Sequence, residues 1–309
     1  MHRYIFGRVL QLIPIMLAVS FVVFFIVDLA PGDVVDVIAG AEASPEDRHL
    51  MRLELGLYDP LLVRYFRYMG GLLRGDLGIS LVTNLDVFGV YMSRLPATLY
   101  LATVGTIVAL LVSIPLGIIA AVYQNTWKDS ASTVAALLGM SMPTFWQGLL
   151  LIIAFSLYLG IFPSVGNDHA LSIVLPAITV GTTQAALTMR TTRSSMLEVI
   201  RQDYIRTARA KGVSEKVAIR KHAFKNALIP IITVVGTQFG VALGGAVVTE
   251  TVFAWPGIGR LIVDSINMRD TQMVTGAIIL TTMLSSIVIL LMDIAYAFAD
   301  PRIRARYSK

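Results

Sequence analysis

The stretch richest in charged side chains runs from Ser194 to Pro230. It carries Arg201, Arg206, Arg209, Lys211, Lys216, Arg220, Lys221 and Lys225 against Glu198, Asp203 and Glu215. Cations at that density suit contact with acidic protein or anionic lipid; they do not make a catalytic centre. Groups that would make one are missing or scattered. The chain has no cysteine, which excludes disulfides, thiolate nucleophiles and thiolate metal sites. His2, His49, His169 and His222 lie far apart in sequence and no H-E-x-x-H occurs, so no metal site is read. There is no G-x-x-x-x-G-K-[ST] loop to cradle a nucleotide and no G-x-S-x-G elbow. The chain reads as a non-enzyme.

A second group is polar but sits in apolar surroundings: Gln147, Thr182, Thr183, Gln184, Gln238, Glu250 and Asp293. Taken singly, each is accounted for by a hydrogen bond between helices, worth about 0.6 kcal/mol. Taken together, Gln147, Thr182, Thr183, Gln184, Gln238 and Glu250 are candidates to line a wet path. Glu250, near the outer end of its span, suits an outer gate or a structural pair equally. Asp293 is close enough to a span end to reach water. A proton-driven carrier would want several midplane carboxylates, which the sequence does not offer.

These residues must be positioned by membrane spans. The chain is 56% hydrophobic and 15% charged, whereas soluble domains are nearer 45–50% and about 25%. Six apolar segments approach the roughly 20 residues that a bilayer requires: Val9–Ala30, Thr98–Val122, Ala131–Leu159 with Pro143 inside, Leu171–Leu187, Leu228–Val252 and Met273–Ala297. The first is too long for a signal-peptide core and has no A-x-A-like site after it, so it reads as a retained span ending at Pro31-Gly32-Asp33. Residues 1–33 form the tail and first span, 34–97 an extracytoplasmic insertion, and 98–309 a five-span core holding the basic loop 194–230. Inside the insertion, Ser44 precedes Pro45, Glu46 and Asp47 as the cap of a short helix. Gly236, Gly240 and Gly244 fall four residues apart, a spacing for close helix contact. Lys and Arg in short loops put both termini and the basic loop in the cytoplasm.

The basic loop is helical in pattern. Leu197, Ile200, Tyr204 and Ala208 recur at helical spacing and Gly212 is a natural residue just past a helix end. Ser214 can cap a second helix with Glu215 in its first turn, and Val217, Phe224 and Leu228 mark that helix's apolar face. The reading is a rigid helix–turn–helix that leads into the fifth span.

Asp203-Tyr204-Ile205-Arg206-Thr207-Ala208-Arg209-Ala210-Lys211-Gly212, followed by His222-Ala223-Phe224-Lys225-Asn226-Ala227-Leu228-Ile229-Pro230, resembles the EAA loop of ABC-importer permeases in the peptide/nickel branch. Of the general E-A-A-x-x-x-G pattern only Ala208 and Gly212 match, since Arg206 and Thr207 take the other places. The first span with Pro31-Gly32-Asp33, Leu95-Pro96-Ala97-Thr98, Glu250-Thr251-Val252-Phe253-Ala254-Trp255-Pro256-Gly257-Ile258-Gly259-Arg260 and Asp300-Pro301-Arg302-Ile303-Arg304 extend the likeness over nearly the whole chain. The resemblance implies an all-α type I importer fold and half of a translocation pathway for di- or oligopeptides, or else for nickel, metal chelates or glutathione. It implies a place in a prokaryotic cell (inner) membrane, a second permease, two ATPase subunits holding ATP and Mg²⁺, an extracytoplasmic binding protein, and no cofactor in this chain. Arg206, Thr207, Ala208, Arg209, Ala210, Lys211, Gly212, Ser214 and Glu215 are the expected ATPase contact, with Arg206, Arg209 and Lys211 free to meet acidic groups there. An ATP-independent secondary carrier is the alternative of another class.

Overall fold

The computed structural model describes residues 2–29, 32, 34–40 and 42–299. Among them, helices account for every regular element, in the order α1 (His2–Leu29), α2 (Val35–Ile38), α3 (Pro45–Glu54), α4 (Leu61–Leu72), α5 (Val87–Val122), α6 (Trp127–Ser141), α7 (Thr144–Leu151), α8 (Val174–Ile200), α9 (Asp203–Ala210), α10 (Glu215–Val217), α11 (Phe224–Gly245), α12 (Val247–Val252), α13 (Ile258–Asn267) and α14 (Thr271–Ala299). A π-helical turn Ile152–Tyr158 extends α7, a 3₁₀ turn Ala170–Ile173 leads into α8, and a π turn Ala218–Ala223 joins α10 to α11. Pro31, Asp33 and the 300–309 segment lie outside the described residues, as does the Asp293 side chain.

Among the described residues, five helices are long and apolar enough to cross a bilayer: Leu10–Leu29, Val87–Val122, Ala170–Ile200, Glu215–Gly244 and Thr271–Met292. The sixth expected span is not one rod. Trp127–Ser141 and Thr144–Tyr158 meet at 99°. Pro143 sits immediately ahead of α7, where its missing N–H costs nothing, and Met142 before it is extended, as a residue preceding proline prefers. Two other expected boundaries shift as well. Pro96 is inside α5, which starts at Val87 with the Asp86 carboxylate accepting the Gly89 N–H at 2.6 Å, so helix begins within the segment assigned to the insertion. Conversely, the expected fifth span Leu228–Val252 divides at Ala246 into α11 and α12.

Small residues set the helix contacts. α5 and α8 form the most extensive pair, and a Cβ on Gly105 would lie 2.7 Å from Val180 Cγ1, while one on Gly181 would lie 2.7 Å from Val108 Cγ1. Gly236, Gly240 and Gly244 of α11 face Met292, Ile289 and Ser285 of α14, the close contact expected from their spacing. In the insertion α3 buries nothing and α4 buries only Tyr65, while Val34, Val35 and Leu77 are buried and Leu77 packs with Val87 and Met273. Polar bonds tie it down as well. Tyr65 and Ser20 hydroxyls meet at 3.0 Å, Arg64 pairs with Asp28, Arg269 pairs with Asp36 at 3.0 Å, and Ser80 donates to Asp270. Ser44 caps α3 as expected, its Oγ accepting the Asp47 N–H at 3.1 Å while its own N–H reaches Asp47 Oδ2.

Candidate functional site

α8 ends at Ile200 and only Arg201 and Gln202 separate it from α9, so the basic loop is a helical corner rather than a flexible connection. Gly212 has φ +82°, and its N–H reaches the Arg209 carbonyl at 2.9 Å while Val213 N–H reaches the Ala208 carbonyl at 3.2 Å. That pair of bonds is the Schellman closure of a helix, which needs a left-handed residue and so selects glycine. A Cβ at Gly212 would meet nothing within 4 Å, which leaves the apex of the turn open to solvent. Ser214 stands at the start of α10 in extended backbone, yet its hydroxyl caps nothing. Its carbonyl takes the Val217 and Ala218 N–H groups. The clasp across the turn is ionic: Arg209 Nε donates to Glu215 Oε2 at 2.9 Å and Nη2 to Oε1 at 2.7 Å. The Arg209 guanidinium holds the Glu215 carboxyl below the usual carboxylate range. Arg209, expected to be free for a partner, is thereby occupied within the chain. Arg206, Thr207, Ala210 and Lys211 are exposed, Ala208 is half-buried, and only a 3.7 Å contact with Asp203 engages Arg206.

The buried face of the corner keeps Leu197, Ile200 and Phe224 of the expected stripe but is one residue out of step at Tyr204 and Val217. Ile205, Ala218, Ile219, Ala223, Ala227 and Ile231 close on Met196 and Ala121. Tyr204 and Val217 are instead exposed, and the Tyr204 hydroxyl accepts from Asn226 Nδ2 at 2.8 Å. Helical spacing found the helix but not its phase, because Tyr204 and Ile205 are both apolar and only the packed neighbours choose between them.

The polar residues of the spans divide into three places. Thr183, Gln184 and Gln238 line one cavity of about 160 Å³ with Thr144, Val180, Val241, Ala242, Ala246 and Thr249. Thr106 donates to Gln184 Oε1 at 3.2 Å. Gln147 lies beside that cavity, donating from Nε2 to Thr182 Oγ1, while its Oε1 is buried without a partner. Glu250 does not line the cavity. It is fully buried beneath the 253–257 loop, where Thr98 Oγ1 donates to Oε1 at 2.7 Å and Arg260 N–H to Oε2 at 3.1 Å, at the N-terminus of α13. Thr98 also accepts the Ile258 N–H at 2.8 Å, and Trp255 Nε1 donates to the Ala97 carbonyl at 2.9 Å. Two motifs read separately, Leu95–Thr98 and Glu250–Arg260, are thus one bonded unit.

One pair escaped the sequence reading. Asp129, at the start of α6, is buried and accepts Arg193 Nε at 2.8 Å and Nη2 at 2.7 Å, with the Asn125 N–H at 3.0 Å as a third donor. Arg193 lies one residue before the stretch singled out for its charge. A charge in the first turn of a span, Asp129, was the available signal.

Residues 113–305 match the family described as binding-protein-dependent transport system inner membrane component. The chain belongs to this family. Residues 1–102 match the N-terminal region of the same membrane components. The glutathione transport system permease protein GsiC of Escherichia coli O6:H1 is 43% identical over 304 residues, covering 98% of this chain and 99% of that protein. Its counterpart in Salmonella paratyphi A is also 43% identical over the same shares. Among solved structures, an inward-facing form of the MetNI methionine ABC transporter matches with a TM-score of 0.56 at 18% identity, over 70% of this chain and 95% of that one. An amino acid ABC transporter with histidines matches with a TM-score of 0.52 at 15% identity, over 70% and 94%. The fold is that of the type I ABC-importer permeases, and this membrane component is a permease subunit of an ABC importer of the peptide/nickel branch.

Proposed function

We propose that this permease forms half of a pathway for short peptides, glutathione included, and is driven through the Ala208–Gly212 turn by a separate ATPase. The observation that carries the substrate reading is the cavity at Thr183, Gln184 and Gln238. Its amides and hydroxyls offer donors and acceptors to peptide groups while imposing no fixed charge on the cargo's side chains. The 43%-identical relatives named for glutathione transport support the same class, glutathione being a tripeptide.

The turn supports the coupling reading. It is closed by two backbone bonds and a bidentate ion pair, and its far side is packed into the base of α11. A push on the apex therefore moves α8 and α11 instead of being absorbed by the loop. The exposed Arg206, Thr207, Ala210 and Lys211 are the contact surface, with packing contributing more than rim charges. The sequence has no phosphate loop, so ATP and Mg²⁺ belong to the ATPase subunits and this chain is no enzyme. A second permease, two ATPases and an extracytoplasmic binding protein complete the assembly, the last meeting the insertion. Lys and Arg asymmetry places both termini and the turn in the cytoplasm.

Uptake of labelled dipeptide, glutathione and nickel in a deletion strain tests the cargo. Loss of peptide and glutathione uptake is expected; loss of nickel uptake alone overturns the reading. Gly212→Asp is expected to leave ATP hydrolysis by the assembled importer intact and to abolish uptake, at normal membrane abundance. Normal uptake in that variant removes the docking role. Transport by the permease in proteoliposomes under a proton gradient alone would instead establish a secondary carrier.

A further inference from the structure

A groove of about 510 Å³ opens between the start of α6 and the later part of α8, lined by Asp129, Ser130, Thr133, Val134, Arg190 and Arg193. The Asp129–Arg193 pair satisfies both of its members. Arg190 is left over. It is exposed, and its guanidinium has no hydrogen-bond or ion-pair partner among the described residues. The Ser130 hydroxyl is exposed in the same groove. At the rim, the Lys128 ammonium stands 4.0 Å from the centre of the Tyr123 ring. The polar end of the groove therefore offers an unneutralised guanidinium and a hydroxyl to an anion, with an ammonium close by.

Thr133 and Val134 complete the groove's lining, and beyond it the exposed surface of α6 turns apolar. Val134 and Leu138, one turn apart on α6, are 53% and 60% exposed, and Trp127 at the rim is 75% exposed. Aromatic rings at a span end, above an open aliphatic track, are what the membrane–water boundary selects. An acidic protein surface would match the charge but not the track, which continues into the bilayer.

We propose that this groove holds an anionic phospholipid of the cytoplasmic leaflet. The phosphodiester sits on Arg190 and Ser130, and an acyl chain lies along Val134 and Leu138. A guanidinium suits this role because its forked donors match two phosphate oxygens and its charge does not titrate. The bound lipid braces α6 against α8 just before α8 turns into the α9 corner. The site rests on the cytoplasmic placement of that corner and goes beyond the transport reading.

The assembled importer in nanodiscs of phosphatidylethanolamine, with and without phosphatidylglycerol, provides the test. Photoactivatable phosphatidylglycerol is expected to label peptides of α6 and α8. Arg190→Gln should lower that labelling about fivefold, the effect of losing one cation near an anionic surface, and Arg190→Lys should retain most of it. Ser130→Asp, an exposed change that spares α8, should lower it as well and covers the case in which Arg190→Gln fails to fold. Unchanged labelling in the folded Arg190→Gln or Ser130→Asp importer overturns the proposal, as does equal labelling by a photoactivatable phosphatidylcholine. Suppression of the labelling by inorganic phosphate in detergent would identify a soluble anion as the occupant and overturn the lipid assignment. The orientation is checked separately: labelling of Lys216→Cys by an impermeant maleimide from outside intact cells would sink the orientation without touching the lipid contact.

Discussion

A Cβ added at Gly257 would lie 2.2 Å from Glu250 Oε1, although the backbone there, at φ −97°, would accept any residue. The constraint is the buried carboxylate, which occupies the space a side chain would need. Gly257→Ala must push Glu250 off Thr98 and off the start of α13. Glu250→Ala removes the acceptor and strands the Thr98 hydroxyl and the Arg260 N–H, at roughly 1–3 kcal/mol for each buried group left unpaired. Both variants are expected to lower the thermal midpoint of the purified importer; an unchanged midpoint in both would mean that this bonded unit carries no stability. Thr98 and Glu250 stand 152 residues apart, and nothing local in either segment announces the other. Arg209 and Glu215 differ in kind, for they are exposed and close in sequence. Because the Glu215 carboxyl is held below its ordinary value, its contribution is complete above the unfolded carboxylate range and is lost as pH falls through the lowered value. Coupling should therefore be flat across neutral pH, while Arg209→Gln, by loosening the clasp, should reduce uptake per ATP hydrolysed at every pH tested.

At the scale of elements, the glycine stripe of α11 and the break at Pro143 act in opposite ways. Gly236, Gly240 and Gly244 were legible from spacing alone, since a four-residue repeat has one face whatever lies opposite. A Cβ at Gly240 would stand 2.8 Å from Ile289 Cγ1, a branched side chain with little room to move. Gly240→Leu is expected to part α11 from α14 and cost about 1–3 kcal/mol. It should be seen as a lower melting temperature, with Gly240→Ala intermediate; wild-type melting for Gly240→Leu would show that the contact is loose. The break between α6 and α7 was legible only as a proline inside an apolar run. Proline inside a span can be accommodated or can divide it, and the 99° angle is set by what each half packs on. α6 lies on α5 and α8, whereas α7 reaches α8 and α12.

For the whole molecule, the testable consequence is sidedness. The chain has no cysteine, so single cysteines report cleanly. Lys216→Cys should react with an impermeant maleimide only from the cytoplasmic side, and Arg74→Cys, exposed in the insertion, only from the opposite side. Reaction of both from one side would contradict the orientation. A resemblance of motifs pointed to its family, while the sequence by itself determined that this protein lives in a bilayer, roughly where its spans run, and that Gly212 ends a helix. Those properties follow from composition, period and backbone chirality, each of which is local. Only the tertiary structure decided that Asp129 holds Arg193 while Arg190 meets no partner among the described residues, that Glu250 belongs with the 253–257 loop and not with the cavity, and that Ile205 rather than Tyr204 faces inward. In each case several residues offered the same chemistry, and the choice was made by a neighbour brought close from elsewhere in the chain.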